Sequence, residues 1–190
     1  MRYDKGHKEA SRRRIMEVAG ERFRSDGIAA SGLATIMSDA GLTNGAFYPH
    51  FKSKAELVRE SVAAAMEDQA KLMGSGGLEA AIDAYLSANH RDNPATGCTL
   101  AALLPELARE PAETREVWAK RFLAAVNKLG AGLSPRTPDP EGAAIGIYAT
   151  LIGALQLARV VQGTPLSDRI MAAGANAART LAELKPGDDR

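Results

Sequence analysis

Helical periodicity constrains this chain more than any other feature of its sequence. Apolar residues recur every three to four positions in almost every long segment, and no run alternates as a β-strand requires. The first such segment covers about residues 8–25. Its apolar stripe consists of Ile15, Val18, Ala19 and Phe23. The pattern predicts an all-α chain of about nine helices.

Turn-forming residues divide the periodic segments. Ser31 and Thr43 are candidate caps of two short helices, and Ser53-Lys54-Ala55-Glu56 has the form of a capping box. We expect a turn at 74–77 and a frayed end at 185–190. The predicted helices cover about 8–25, 31–40, 43–51, 53–73, 78–90, 98–109, 112–131, 140–162 and 166–184.

Composition excludes several classes of protein. With 45% hydrophobic and 25% charged residues, the chain is neither wholly disordered nor fibrous. The lone Cys98 cannot form an internal disulfide, so we expect a reducing, cytoplasmic compartment. Residues 142–158 carry no charge, but they are barely long enough to cross a bilayer and contain three glycines. A buried helix is therefore the better prediction, with no membrane contact.

Charge is unevenly distributed along the chain. Residues 1–59 hold 11 Lys/Arg against 7 Asp/Glu, whereas residues 60–190 hold 13 against 16. A basic front on a mildly acidic body is typical of a polyanion contact made by the front alone. A solvated basic tail explains the same charges equally well.

The first three predicted helices have the outline of a helix-turn-helix, with a glycine in the turn between the second and the third. At 100° per residue, Phe47 and Phe51 share one face and should anchor the third helix. Gly45 and Pro49 then face outward, flanked by Asn44 and Tyr48. A glycine on an outward face lets the backbone approach a large partner closely.

Hydrogen-bond donors surround this outward face. Tyr48, His50, Lys52 and Lys54 are suited to phosphates, and Thr43 places a hydroxyl at the start of the helix. Small side chains in the middle and donors at the rim suit a helix in a DNA major groove. A weakly formed surface helix in a bundle would show the same periodicity and charge.

The segment Leu42–Lys54 resembles the recognition segment of the tetracycline-repressor (TetR) family of bacterial regulators. The shared pattern is a Gly, a pair ending in Tyr, then His-Phe and Ser-Lys, and the resemblance covers about residues 8–65. It implies a homodimeric transcription factor, usually a repressor released from a palindromic operator by a small-molecule inducer. It also implies a DNA-binding domain at 8–68, with the helix-turn-helix at about 31–50, and a ligand-binding and dimerisation domain at 69–190.

The resemblance also implies which residues meet double-stranded DNA. Thr43, Asn44 and Gly45 would face bases and backbone, Tyr48 and His50 phosphates, and Lys54 the flanking strand. Ser31 would add a further phosphate contact. Pro49 departs from the family pattern, because it has no N–H to donate and should kink the helix early. Arg12, Arg13 and Arg14 either approach the DNA or form the solvated face of the first helix.

The last two long helices are the expected dimer interface. The alternative is that the same stripes pack within one subunit. The stripe residues are Ala143, Ala144, Ile147, Leu151, Ala154, Leu155 and Ala158 on one helix and Ile170, Ala173, Gly174, Ala177, Ala178 and Leu181 on the other. We expect a pocket for a small, mostly apolar ligand among the fifth to eighth helices. Its candidate lining residues are Tyr85, Leu103, Leu104, Trp118, Phe122, Tyr148, Ile152 and Gln156, with His90 or Asn89 as further polar groups.

Other functions are weighed against this one. Cys98 follows Thr96-Gly97 at a helix start, which allows a redox or electrophile sensor, although a buried free cysteine is commoner. An activator would use the same DNA-binding head, and a helical ligand-binding protein without a DNA role is a further alternative. No catalytic constellation or metal-ligand spacing is visible, so we expect no enzyme, no metal and no cofactor.

Overall fold

The computed structural model describes residues 5–72 and 77–182, which contain nine α-helices and two short 3₁₀ turns. The predicted end at 185–190, and most of the predicted turn at 74–77, lie outside these residues. The helices are α1 (Lys5–Asp26), α2 (Leu33–Asp39), α3 (Lys54–Leu72), α4 (Gly77–Tyr85), α5 (Ala88–Asp92), α6 (Thr99–Leu107), α7 (Ala112–Ala131), α8 (Pro140–Val160) and α9 (Pro165–Ala182). The 3₁₀ turns are Asn44–Ala46 and Pro94–Thr96.

The all-α prediction is confirmed, but two predicted helices differ in detail. The helix expected over 43–51 is a 3₁₀ turn at Asn44–Ala46 followed by hydrogen-bonded turns. The helix expected over 78–90 is two helices, because Ser87 adopts an extended conformation and its hydroxyl accepts a hydrogen bond from the His90 N–H (3.2 Å). The count of nine therefore agrees with the prediction only in total.

The start of α2 also differs from the prediction. Its N-cap is Gly32, not Ser31. Ser31 is buried, and its hydroxyl donates to the Gly27 carbonyl (2.6 Å). The predicted cap is wrong because the hydroxyl ties back to the end of α1 instead of reaching forward into α2.

The first hydrophobic core joins α1, α2, the first 3₁₀ turn and α3. Large side chains fill it, and the bulkiest fully buried ones are Phe23, Phe47, Phe51, Ile15, Ile36, Met37 and Leu57. Leu103 and Leu107 of α6 and Trp118 of α7 belong to the same core. The amino-terminal helices are therefore seated directly on α6 and α7.

The second core is built around the antiparallel pair α8 and α9 and includes residues of α4 and α6. A side chain at Gly174 of α9 would overlap the Cβ of Ala154 on α8, so the two helices pack with their backbones close together. Small residues here serve packing within the chain.

The predicted dimer stripe is therefore largely intramolecular. The seven residues predicted on α8, from Ala143 to Ala158, are all buried within the chain, as are Gly174 and Ala178 of α9. These are the residues that hold α8 against its neighbours. The exposed large apolar side chains of the pair are Ile145, Leu157, Val160 and Leu166.

Among residues 5–72 and 77–182, one helix is long and apolar enough to cross a membrane. This is α8, whose most apolar window is 44% buried inside the fold. Its buried residues include Ile147, Leu151 and Leu155, which are fully enclosed by the second core. The core of a folded domain accounts for this apolarity.

Candidate nucleic-acid interface

The predicted recognition segment is fixed to the fold by two aromatic rings. Phe47 and Phe51 are 2% and 1% exposed, and their ring centroids stack 5.7 Å apart. Tyr48 meets the edge of Phe47 at a centroid distance of 5.4 Å, yet 71% of it is exposed. The segment thus presents a polar aromatic side chain on a rigid apolar base.

The outward face has the composition that the periodicity predicted. Thr43, Asn44, Gly45, Tyr48 and Pro49 are all exposed. No atom lies within 4 Å of the position that a Cβ of Gly45 would occupy. Packing within the chain therefore does not require a glycine there, and the bare backbone is open to an outside partner.

The backbone of this face is wound tightly. The Ala46 N–H donates to the Thr43 carbonyl (3.0 Å) and the Phe47 N–H to that of Asn44 (3.2 Å), both in the 3₁₀ pattern. Pro49 cannot donate, and regular winding ends before it. Thr43 is the N-cap, but its hydroxyl makes no capping hydrogen bond and stays at the exposed surface.

His50 lies at the inner edge of this surface. It is half-buried, and its Nδ1 is buried without a hydrogen-bond partner among the described residues. Burial lowers the pKa of His50, and the nearby charges of Lys8 and Arg12 lower it further. Both effects favour the neutral form of the ring.

Lys54 and Ser31 make contacts within the chain rather than pointing freely outward. The Lys54 Nζ donates to the Ile28 carbonyl (2.5 Å), across the loop between α1 and α2. Ser31 is buried, with its hydroxyl engaged by Gly27 as described above. The phosphate contact predicted for Ser31 has no exposed hydroxyl to make it.

Sequence reasoning missed a carboxylate that also binds the loop between α1 and α2. Glu106 of α6 accepts hydrogen bonds from the N–H groups of Ile28 (2.8 Å) and Ala29 (3.2 Å). Gly27 reaches this arrangement with a positive φ of 87°. The sequence alone did not distinguish Glu106 from the other acids near it in the chain.

The arginines of α1 have different roles. Arg12 forms an ion pair with Glu60 (2.5 Å) and lies 4.3 Å from the centroid of the Phe51 ring. It therefore braces α1, α3 and the recognition segment together. Arg13 and Arg14 are exposed.

The predicted capping box is present, but Glu56 binds the N–H of Lys52 instead of the N–H of the N-cap residue Ser53. Ser53 Oγ accepts from the Glu56 N–H (3.1 Å), and Glu56 Oε2 accepts from the N–H of Lys52 (2.6 Å). This places one more backbone group of the recognition segment under the control of α3.

The predicted ligand-lining residues do not converge on one space. Leu103 and Trp118 belong to the first core and Ile152 to the second, while Leu104 is 42% exposed. Phe122 and Tyr148 pack edge to face, with centroids 5.4 Å apart, and Gln156 is half-buried on α8. Tyr85, with Asn89 and His90, instead lines a cleft between α1 and the helices that follow α3.

Cys98 is buried at the N-cap of α6. Burial raises the pKa of its thiol, which outweighs the hydrogen bonds offered by Tyr85 and nearby backbone groups. A reactive thiolate needs the opposite shift. The environment of Cys98 is that of a small core residue.

Comparisons with known proteins point to one family. Residues 15–61 match the model of "Bacterial regulatory proteins, tetR family". Over 59 residues the chain is 42% identical to the HTH-type transcriptional regulator TtgR of Pseudomonas putida, covering 31% of this chain and 28% of that protein. Over 59 residues it is 37% identical to AcrR of Shigella flexneri, covering 31% and 27%. The chain thus spans little more than a quarter of the length of these relatives.

Solved structures resemble almost the whole chain. A TetR-family regulator from Cytophaga hutchinsonii has a TM-score of 0.75 at 17% identity, covering 96% of this chain and 100% of that one. The reduced form of E. coli NemR has a TM-score of 0.71 at 18% identity, covering 88% and 96%. At these identities the likeness shows the fold. Residues 15–61 are therefore similar to the tetR family of bacterial regulatory proteins, and the described residues share the fold of solved TetR-family regulators.

Proposed function

We propose that the chain is a ligand-responsive transcriptional regulator, and that it represses genes by binding a palindromic operator until a small, mostly apolar inducer releases it. The observation that carries the proposal is the exposed face at Gly45 and Tyr48, raised on the buried pair Phe47 and Phe51. Packing within the chain does not require a glycine at position 45, whereas close approach of the backbone to a DNA groove would.

The proposed contacts divide into two kinds. Thr43 and Asn44 offer exposed polar side chains at the start of the turn, where they would reach base edges, and Gly45 brings the backbone close. Tyr48 and His50 would donate to phosphates at the rim. Lys54 is proposed to act mainly by holding the α1–α2 loop through the Ile28 carbonyl.

We propose a homodimer in which α8 and α9 of two subunits pack together. The exposed side chains of Ile145, Leu157, Val160 and Leu166 supply apolar area for this contact. Two recognition segments would then read half-sites about 34–36 Å apart, one turn of DNA. The buried stripe on α8 has no direct part in this interface.

The ligand signal has a direct route to the DNA-binding helices. Glu106 of α6 holds the N–H groups of the α1–α2 loop, and Leu107 of the same helix lies in the amino-terminal core. A small displacement of α6 or α3 would therefore change the separation of the two recognition segments. A coupling of about 1–3 kcal/mol suffices for a 5–150-fold change in affinity.

Three alternatives differ from this proposal. An activator would bind the same operator but raise transcription. A Cys98-based sensor would release DNA when the thiol is oxidised, but the burial of Cys98 argues against this alternative. A helical ligand-binding protein without a DNA role would not prefer one duplex over another. We propose a cytoplasmic regulator without catalytic activity.

The test is fluorescence anisotropy with DNA from directly upstream of the chain's own gene, a shuffled duplex and a salt series. We expect sequence-dependent binding that weakens steeply with salt. Tyr48→Ala should weaken binding to all duplexes about fivefold or more, whereas Asn44→Ala should change the preference between duplexes. Negligible affinity for every duplex at low salt would overturn the proposal.

A further inference from the structure

A cleft of about 570 Å³ lies between α1 and the helices that follow it. Met16 and Gly20 contribute one wall, Ala64 and Ala65 of α3 a second, and Tyr85 of α4 belongs to the far side. Small and apolar side chains thus leave a space within the range of small-molecule sites. Because α1 also carries part of the first core, this space borders the DNA-binding helices directly.

Arg24 places a partly desolvated cation in this cleft. Its Nε donates to the Ala95 carbonyl (2.5 Å) and its Nη1 to Thr99 Oγ1 (3.4 Å). No described carboxylate forms an ion pair with it. Burial lowers the pKa of Arg24, although Glu21 nearby opposes this shift. A guanidinium in this state favours an anionic oxygen as its partner.

A buried hydroxyl in the cleft lining lacks a partner. Ser61 is 3% exposed, and its hydroxyl oxygen has no hydrogen bond among the described residues. The buried Tyr85 hydroxyl has only the Cys98 thiol beside it, which is a weak hydrogen-bond partner. Buried polar groups are normally paired, so the Ser61 hydroxyl offers a donor that an acceptor would satisfy.

The exposed charges of the cleft lining limit the charge of its occupant. They belong to Arg13, Glu17, Glu21 and Asp68, which are three acids and one base. Charges in contact with solvent are screened, so they weigh less than the partly desolvated Arg24. They nevertheless disfavour a molecule that carries several negative charges.

We propose that this cleft binds a monoanionic molecule with an apolar, aromatic-sized body, whose charged oxygen meets Arg24 while its body lies against α1 and α3. This deepens the proposed regulatory function and rests on it. The ligand would touch the DNA-binding helices themselves, instead of acting from a pocket enclosed by later helices.

The test uses two fluorescent probes with the same aromatic body. 8-Anilinonaphthalene-1-sulfonate carries one negative charge, and N-phenyl-1-naphthylamine carries none. Titrated into the full chain, the sulfonate should bind more tightly. Arg24→Gln should raise its Kd about tenfold, the size expected for one charge-assisted hydrogen bond, and leave the neutral probe unchanged. Arg24→Lys, which keeps the charge, should lose less affinity for the sulfonate than Arg24→Gln does.

Two further variants locate the probe. Ala65→Phe fills the cleft and should weaken binding of both probes, while Arg115→Gln, an exposed arginine on α7 outside the cleft, should affect neither. Circular dichroism of each variant checks that it is folded. A sulfonate Kd that is unchanged in both Arg24→Gln and Ala65→Phe would overturn the proposal, as would equal losses for the two probes in Arg24→Gln.

DNA binding separates this inference from the function on which it rests. Anisotropy without any probe tests the regulator. Addition of the sulfonate to the protein–DNA complex then tests the cleft, and we expect the operator affinity to fall in the wild type but not in Arg24→Gln. Operator binding that is intact and indifferent to the sulfonate would overturn the cleft as an effector site, whereas absence of operator binding from the start would overturn the proposed function.

Discussion

The amino-terminal half of the molecule, which contains α1 to α3, and the carboxyl-terminal half, which is centred on α8 and α9, use opposite kinds of side chain at their closest internal contacts. In the amino-terminal helices, large residues such as Phe23, Phe47 and Phe51 fill the space between short elements. In the α8–α9 pair, the small residues Ala154 and Gly174 allow two long helices to approach each other closely. The recognition segment therefore depends on a few bulky anchors, while the contact between Ala154 and Gly174 depends on the absence of bulk.

Removing an anchor should have the largest effect. Phe47 is 2% exposed and touches both Tyr48 and Phe51. Phe47→Ala should lower the free energy of unfolding by about 3–5 kcal/mol, because it opens a cavity under the recognition segment. Urea denaturation measures the loss. Tyr48→Ala, at a residue that is 71% exposed, is the matched control and should change stability by less than about 0.5 kcal/mol.

Adding bulk should harm the other half. Alanine is the better helix former by about 0.8–1 kcal/mol, so a Gly→Ala change should stabilise a helix unless space is lacking. At Gly174 the new methyl group would overlap the Cβ of Ala154, and we expect a net loss of about 1–3 kcal/mol. Gly153→Ala on α8, with no atom within 4 Å of its Cβ position, should stabilise the chain in urea denaturation. Equal effects of the two changes would refute the close packing.

The same contrast explains what the sequence could predict. The outward face of the recognition segment was predicted correctly, because Phe47 and Phe51 stand four apart opposite Gly45 and Pro49 and leave only one orientation. On α8 the faces are rich in alanine and glycine all round, so periodicity identified the helix but did not tell an intramolecular face from an exposed one. The 3₁₀ winding at Asn44 depends on local backbone geometry that side-chain periodicity does not report.

Contacts between distant segments were beyond prediction for a different reason. Glu106 and Ile28 are 78 residues apart, and Lys54 is 26 residues from the carbonyl it binds. Neither pair follows from spacing, because each depends on how α6 and α3 are seated on the α1–α2 loop. The cleft likewise unites residues from several segments, of which the sequence suggested only Tyr85, Asn89 and His90.

Weakening the contact between Glu106 of α6 and the α1–α2 loop should have an intermediate effect on the free energy of unfolding. Glu106→Gln keeps an acceptor oxygen but removes the charge from two hydrogen bonds to the α1–α2 loop. We expect a loss of about 1 kcal/mol in the free energy of unfolding, together with weaker operator binding in anisotropy. Glu116→Gln, at an exposed position on α7, controls for the general loss of an acid. If both variants behave alike, Glu106 does not couple the two halves.

The smallest expected effect is on the pH dependence of stability, to which one histidine in each half contributes. Burial lowers the pKa of both His50 and His90 in the folded chain. The unfolded state therefore binds protons first as the pH falls below about 6.5, so each histidine should reduce stability progressively below that pH and leave it unaffected near pH 8. Urea denaturation at pH 7.5 and 5.5 should show this slope, and His50→Gln and His90→Gln should each reduce it.

The two histidines should differ in what the mutation costs at pH 7.5. His90 uses both ring nitrogens, since Nδ1–H donates to the Tyr85 carbonyl (2.6 Å) and Nε2 accepts from the Cys98 N–H (2.8 Å). The buried Nδ1 of His50 has no such partner among the described residues. His90→Gln should therefore lower stability at both pH values, while His50→Gln should act mainly through the acid slope. The reverse order would mean that the amino-terminal half, not the cleft side of α5, depends on its histidine for structure.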